Sequence, residues 1–404
     1  MQMHNETRNV DIVIIGASLA GSLTALLLAK NKNLNILILD KKIPNTENIN
    51  FNDKNKYQPR VVALNLASKK ILGNIGVWNL LPELRLGGMR KISVSESNGP
   101  QKIEFDGFAS GHDNLAYVVE NDLLLNKLQE KLKQINNIKS EEVEINKINN
   151  LKENAEIILD NKQKIKTKLI IAADGANSFI RNYFDLKTSI KDYGNTALVA
   201  NIYTDKEHEN IARQKFLKSG PIALLPLGDA NNISIVWSTN KEFVEKLINY
   251  NEKEFCFALN REFNFKIGDN IKLTSKRFTF SLFERHAESY FCDRVVLLGD
   301  AAHTIHPLAG QGLNLGILDS KILTDEIMKA YNIHSDFGSI DVLQRYQARR
   351  RGHNQILIYA MRFFQDLYCI ESLPGSIIRN LGVGIFNSSN FIKDKIIKFA
   401  IGQI

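Results

Sequence analysis

The sequence predicts an α/β chain in which a discontinuous sheet of the nucleotide-binding kind carries an inserted antiparallel β-sheet and ends in a helical C-terminal segment. Three observations predict it. Short apolar runs, the pattern of strands buried on both faces, stand early (10–15 and 34–39), in the middle (169–173) and late (295–298). A β-rich block from about 185 to 280 interrupts them, with strand-like runs at 196–202 and 233–237. After Ser339 the pattern is mostly helical.

The elements follow in order. Residues 10–15 read as a buried strand, 16–21 as a turn, 22–30 as a helix and 34–39 as a second strand ending in Asp40. This is a βαβ unit, whose strands run parallel. The stretch 12–29 has 18 residues without a charge, the lower limit for a membrane span. Its β-branched first half, Leu/Ala-rich second half and intervening glycines favour strand, turn and helix over a span. Residues 45–58, after Pro44, are polar and read as a mobile loop, and 63–72 as a helix. Val143, Ile145, Ile157 and Leu159 alternate with polar residues, as in half-exposed strands. The 295–298 strand leads to a helix from about Gly312. No internal repeat or long low-complexity tract is present.

A chain of 404 residues has room for two or three domains. Its net charge of +8 suits an anionic cofactor or an anionic membrane surface. The lysines are scattered rather than clustered with aromatics, which argues against nucleic acid. Cys256, Cys292 and Cys369 are too far apart to suggest a disulfide framework or a zinc knuckle. No secretory signal pattern stands at the N-terminus, so a reducing, cytoplasmic setting is expected.

Three stretches carry chemistry. Gly16-Ala17-Ser18-Leu19-Ala20-Gly21 follows a strand and opens a helix, as the dinucleotide fingerprint Gly-x-Gly-x-x-Gly does, with Ser18 at the middle glycine. Gly16 permits the tight turn, Gly21 lets helix and strand pack, and the helix N-terminus offers N–H groups to a pyrophosphate. Asp40, 24 residues after Gly16, has the spacing of a ribose-binding carboxylate. A tight βα turn without a ligand is the bland alternative. A hydrolase elbow would need glycine where Ala20 stands. The second stretch runs from Leu169 to Ser178, then Arg181, and puts Asp174 and Gly175 at the end of a buried strand, where open α/β sheets bind ligands. An ordinary Asp–Gly turn is the alternative there. The third runs from Arg294 to Asn314. Asp300 ends a strand, where it could meet ribityl hydroxyls, and Gly310 and Gly312 open a helix whose N–H groups could stabilise negative charge on a reduced flavin. A metal set of Asp300, His303 and His306 is the rival reading.

In this order the three stretches resemble the flavoprotein monooxygenases of the para-hydroxybenzoate hydroxylase fold, and within them the ubiquinone-biosynthesis FAD-dependent hydroxylase family (UbiH/VisC type). Further matching segments are Pro59-Arg60-Val61-Val62-Ala63-Leu64-Asn65, Gly76-Val77-Trp78, Ala116-Tyr117-Val118-Val119-Glu120-Asn121, Gly220 through Leu227 with Val236-Trp237-Ser238, and Leu343-Gln344-Arg345-Tyr346 with Arg349-Arg350-Arg351. The run Ala309-Gly310-Gln311-Gly312-Leu313-Asn314-Leu315-Gly316 is the most specific part, and Ser18 is the departure.

The resemblance implies an α/β fold: a discontinuous Rossmann-like FAD-binding domain (1–84, 105–184 and 285–335), an inserted antiparallel β-sheet substrate domain (85–104 and 185–284), and C-terminal helices (336–404). It implies that Gly16, Ser18, Gly21 and Asp40 hold the adenosine and pyrophosphate of FAD, and that Arg60 neutralises the pyrophosphate. Asp174 would serve FAD and the incoming nicotinamide, and Asp300 the ribityl chain. Pro307 would stand beside the oxygen-reacting carbon, with Gly310, Gly312 and Asn314 under the ring. NAD(P)H would be a transient reductant, O2 the oxidant, and a polyprenylated phenol or quinone precursor the substrate. Association with the inner face of a membrane or with a ubiquinone-biosynthesis complex is a further expectation, since 391–399 mixes apolar and basic residues as a membrane-surface helix does. A final helix packed on its own domain reads equally well. A halogenase or alkene reductase of the same fold, or a non-catalytic FAD-bearing scaffold, would share the FAD stretches.

Overall fold

A computed structural model of the chain describes residues 7–53, 56–96, 102–305 and 312–369, with side chains described as far as residue 359. Two large sheets and a small one organise these residues. In the first large sheet Arg8–Ile15 lies between Ile36–Asp40 and Lys164–Ala172, parallel to both. Ile138–Glu142 and Val295–Leu297 extend the parallel array on either side. Ala155–Leu159, Ile145–Asn150 and Phe291–Cys292 add antiparallel margins. The apolar runs are apolar because residues 12–15, 36–39, 169–172 and 295–297 are all buried. The helix Leu19–Leu28 connects the first two strands and is buried at nearly every position, packed by Asn121–Leu132 and Gly312–Asn332. That burial accounts for the uncharged 12–29 stretch. Among the described residues no helix is long and apolar enough to cross a membrane.

The second large sheet is nine-stranded and draws on both the 91–106 and the 188–304 regions of the chain. It is antiparallel except where Ile211–Leu217 runs parallel to Lys91–Glu96. One face buries Leu198, Ile202, Ile235 and Trp237 against helices Lys241–Asn249 and Glu252–Glu262. Asn240 and Asn251 cap those helices, the latter in a reciprocal pair with Glu254. The small sheet, Val61–Asn65 with Ala116–Glu120 and Gly87–Met89, joins the two large ones. Its Ala63, Met89 and Val118 share a core with Ala212 and Leu227.

Two expectations need correction. The helix expected over 63–72 is a strand, Val61–Asn65, followed by a helix, Leu66–Asn74. The β-branched Val61 and Val62 pair with Glu120 and Val119, and Asn65 caps the helix by accepting from the Ser68 N–H. The 45–58 segment is irregular, but its described residues are tied down. Gln129 donates to the Pro44 carbonyl at 2.7 Å, Thr46 donates to Gln129 at 2.8 Å, and Arg85 donates to the Asp53 carbonyl at 2.8 Å. These partners are remote in sequence, so polarity alone reads as freedom. The C-terminal helix Ile340–Cys369 is present, whereas residues 370–404, with the 391–399 segment, lie outside the described residues.

Candidate functional site

The three stretches meet at the C-terminal edge of the parallel strands. The Ala173 N–H donates to the Ile15 carbonyl at 2.7 Å and the Leu298 N–H to the Ala172 carbonyl at 2.9 Å. Gly16 has φ +113°, and a Cβ there would stand 2.3 Å from the Ala173 carbonyl oxygen; a Cβ on Gly21 would stand 1.9 Å from that of Gly16. Packing of turn, strand and helix therefore demands both glycines, with or without a ligand. Ser18 is different. It is the exposed N-cap of the Leu19–Leu28 helix, yet its hydroxyl makes no capping bond. The first-turn N–H groups thus have no side-chain partner from the cap. Asp40 Oδ2 accepts from the Ala17 N–H at 2.7 Å and Oδ1 from the Lys42 N–H at 3.1 Å, so this carboxylate braces the turn while retaining acceptor capacity.

Asp174 Oδ2 accepts from the Ile180 N–H at 3.1 Å. Burial raises its pKa above the usual carboxylate range, against hydrogen bonds from Ser178 and the following backbone. Arg181, buried, stitches this loop to the third stretch: it donates to the Ala301 carbonyl and to the Ala176 carbonyl, each at 2.9 Å. Arg285, from the second sheet, donates to Asn177 Oδ1 at 2.8 Å.

Asp300 is the most telling group. Its side chain is open to solvent, yet crowding by protein raises its pKa, against the pull of His303 and then Arg60. An exposed carboxylate that its protein surroundings partly desolvate, at the C-terminal edge of a parallel sheet, stands where open α/β sheets bind ligands. Arg60 is exposed and close enough to act on Asp300 electrostatically. His303 is buried with Nε2 bound to Asp319 at 2.5 Å, so that nitrogen is not free for the metal reading; His306 lies outside the described residues.

Pro307 and Gly310 also lie outside the described residues. Gly312 is the first residue of the Gly312–Asn332 helix, and among the described residues a Cβ there would meet the Ile305 side chain, at 3.9 Å. Unlike Gly16, it is not required by any close contact among the described residues. Asn314 is committed to protein: its Oδ1 accepts from the Asn65 N–H (3.0 Å) and the Ser68 hydroxyl (2.7 Å), and its Nδ2 donates to the Ala63 carbonyl (2.7 Å). Its side chain pins the helix start to the small sheet.

Sequence reasoning missed the groups that hold the segment leading to Arg60. Arg85 and Glu120 form a buried ion pair, with Nε–Oε2 at 2.8 Å and Nη2–Oε1 at 2.5 Å. The Gln58 N–H donates to Glu120 at 2.6 Å, and Asn201 of the second sheet donates to the Tyr57 and Gln58 carbonyls at 3.0 Å. The only trace in the sequence is a charged residue, Glu120, ending an apolar run.

Comparison with known proteins bears on what this cleft holds. The model of a family described as FAD binding domain matches residues 9–359. Among curated relatives, the ubiquinone biosynthesis monooxygenase COQ6, mitochondrial, of Xenopus tropicalis is 30% identical over 96% of this chain and 93% of its own. That of Caenorhabditis elegans is 31% identical over 98% and 96%. Among solved structures, P. aeruginosa PqsL in complex with 2-aminobenzoylacetate superposes with a TM-score of 0.78 at 18% identity, covering 94% of this chain and 100% of that one. The p-nitrophenol 4-monooxygenase PnpA from Pseudomonas putida DLL-E4 gives 0.77 at 17% identity, covering 98% and 99%. At these identities the structures show the shared fold.

Proposed function

Because this chain belongs to the FAD-dependent hydroxylase family of ubiquinone biosynthesis, we propose that it hydroxylates the aromatic ring of a polyprenylated phenol or quinone precursor, with NAD(P)H and O2 as co-substrates. The observation that carries this reading is Asp300, an accessible but desolvated carboxylate at the meeting point of the three stretches, with Arg60 nearby.

The described residues fit FAD. The uncapped helix start at Ser18 and the bracing Asp40 suit the pyrophosphate and adenosine ribose, with Gly16 and Gly21 shaping the turn. Arg60 would neutralise pyrophosphate charge, Asp300 would accept hydrogen bonds from the ribityl hydroxyls, and Asp174 would serve FAD and the nicotinamide. A glycine at the start of that helix suits the close approach of a flat ring. Pro307 and Gly310 are assigned the flavin-facing side, and Asn314 fixes that helix start. Bound flavin takes up reducing equivalents and activates oxygen. The protein's part is to orient the phenol and keep water out.

The second sheet supports a large apolar substrate. Ala197 and Val199 lie on the same face as Asn201, and across the ladder Val199 stands opposite Val236 and Phe278, and Ala197 opposite Phe280. Phe278 and Phe280, 50% and 41% exposed, put two aromatic rings on that face, fitting for one that receives a prenyl chain. We assign the substrate role to the second sheet, with 85–104 and 185–284 as its chain segments, and the FAD role to 1–84, 105–184 and 285–335. A substrate of this kind resides in a membrane, so the enzyme would work from its surface on the cytoplasmic side, as a peripheral partner of other quinone-forming enzymes.

The test is deletion of the gene in its host, with mass spectrometry of the quinone pool. Accumulation of a prenylated precursor lacking one hydroxyl is expected. An unchanged quinone profile would refute the reading.

A further inference from the structure

A buried polar network lies against the Gly299–Asp300 turn, and none of its side chains has been given a role above. Its centre is Asp319 of the Gly312–Asn332 helix, fully buried. Asp319 Oδ2 accepts from His303 Nε2 at 2.5 Å and from the Gly299 backbone N–H at 3.3 Å. Its Oδ1 accepts from Arg350 Nε at 2.5 Å and from Asn354 Nδ2 at 3.4 Å. Arg350 also donates to Asn354 Oδ1 at 2.7 Å, and Asn354 Nδ2 donates to the Tyr290 hydroxyl at 3.2 Å. The middle arginine of the Arg349-Arg350-Arg351 run thus ties the last described helix to the carboxylate that holds the 299–303 turn.

Burying this carboxylate is costly. Burial alone would raise its pKa, but His303 and Arg350 outweigh that and hold it well below the usual carboxylate range. An apolar packing of similar volume would commonly give equal or greater stability, so stability alone does not account for charge here. Geometry does. One oxygen of Asp319 grips the turn at residue 299 and again at residue 303, on either side of Asp300.

We propose that Asp319 is a positioning residue for cofactor binding: it fixes the 299–303 turn so that Asp300 faces the cleft, and Arg350 in turn fixes Asp319. The proposal rests on Asp300 being a cofactor contact. Asp319 cannot touch FAD itself, being buried, so its effect must pass through the turn. Three features of the turn's environment strengthen the link. Arg181 holds the Ala301 carbonyl, Asp319 holds the flanks, and the Asp300 carboxylate alone is left without a direct hydrogen-bond partner among the described residues.

The test is FAD titration of apoprotein, followed by flavin fluorescence, for wild type, Asp300→Ala, Asp319→Asn and the double variant, with His303→Leu and His303→Gln in parallel. Asp319→Asn should weaken FAD binding by about tenfold or more, and should add no further loss in the Asp300→Ala background. His303→Leu should behave as Asp319→Asn does, while His303→Gln, which keeps an N–H donor, should recover most of the affinity. A merely structural role predicts losses that multiply in the double variant. Such multiplication, or wild-type affinity in Asp319→Asn while Asp300→Ala is weakened, overturns the proposal alone. Wild-type affinity in Asp300→Ala sinks the reading of Asp300, and the proposal with it. Should Asp319→Asn fail to fold, the two His303 variants decide by the same comparison: His303→Leu with wild-type affinity overturns the proposal.

Discussion

Replacing Ser18 with valine separates a ligand contact from a folding contact unusually well. An N-cap serine normally contributes about 0.5–2 kcal/mol through its side-chain bond to the first turn. Ser18 makes no such bond, is exposed, and has extended backbone angles (φ −84°, ψ −162°) that a β-branched residue tolerates. The apoprotein should therefore change in stability by less than about 0.5 kcal/mol, a shift of no more than about 2 °C in melting temperature. Cofactor binding should change greatly. If a pyrophosphate oxygen approaches the helix start here, the added methyl groups occupy its path. Loss of two charge-assisted bonds at about 1.5–3 kcal/mol each weakens FAD by more than about a hundredfold. The assay is fluorescence titration of the apoprotein, with a thermal melt of the same sample. Ser18→Gly should keep or tighten binding. Near-wild-type affinity in a folded Ser18→Val variant would refute the placement of the pyrophosphate at this turn.

Other outcomes follow from the same geometry. Flavin released from the purified protein should be FAD rather than FMN by chromatography, because the Asp40 turn is assigned to an adenosine ribose. Asp300→Asn should weaken FAD retention yet stabilise the apoprotein at neutral pH: crowding raises the Asp300 pKa in the folded state, so the ionised form opposes folding above that raised value, and the penalty eases as pH falls through it toward the usual carboxylate range. A melt series against pH should show wild-type apoprotein gaining on the variant as pH falls; a constant difference would contradict the cause given. Asp319 has the opposite sign, with a lowered pKa, so its contribution is present above the usual carboxylate range and is lost as pH falls below it. Arg85→Ala leaves Glu120 buried without its cation and should cost about 3–5 kcal/mol by denaturant melting. Any folded fraction should also bind FAD more weakly, because the segment leading to Arg60 is loosened.

The sequence made some of this arrangement legible and hid the rest for identifiable reasons. The parallel strands were readable because burial on both faces leaves continuous apolar runs, as at residues 12–15 and 169–172. Gly16, Gly21 and Asp174 stand in local patterns whose spacing follows from a strand–turn–helix geometry. The helix expected over 63–72 failed because pairing with Ala116–Glu120 outweighed local propensity. The Asp319 and Arg85 networks were unreadable for another reason. Their partners are brought together by topology: Arg85 meets Glu120, and Asp319 meets Arg350, only after both sheets and the last helix are in place. Asn314 was read as a cofactor-side residue from its place in a motif, yet its side chain serves the protein's own hydrogen bonding.

The position of Arg8–Ile15 has a consequence for how the chain is made. This strand precedes the other described strands in the chain but lies at the centre of its sheet, and its parallel neighbour Lys164–Ala172 emerges more than a hundred residues later. Val295–Leu297, the next parallel strand on that side, follows after more than a hundred residues again. Parallel pairings across such separations are slow to form, since loop closure precedes any gain from contact. During translation the apolar 12–29 segment therefore waits with one strand edge unpaired, exposed to aggregation and to chaperones. Yield in a foreign host should accordingly depend more on translation rate and chaperone supply than on the stability of the finished fold.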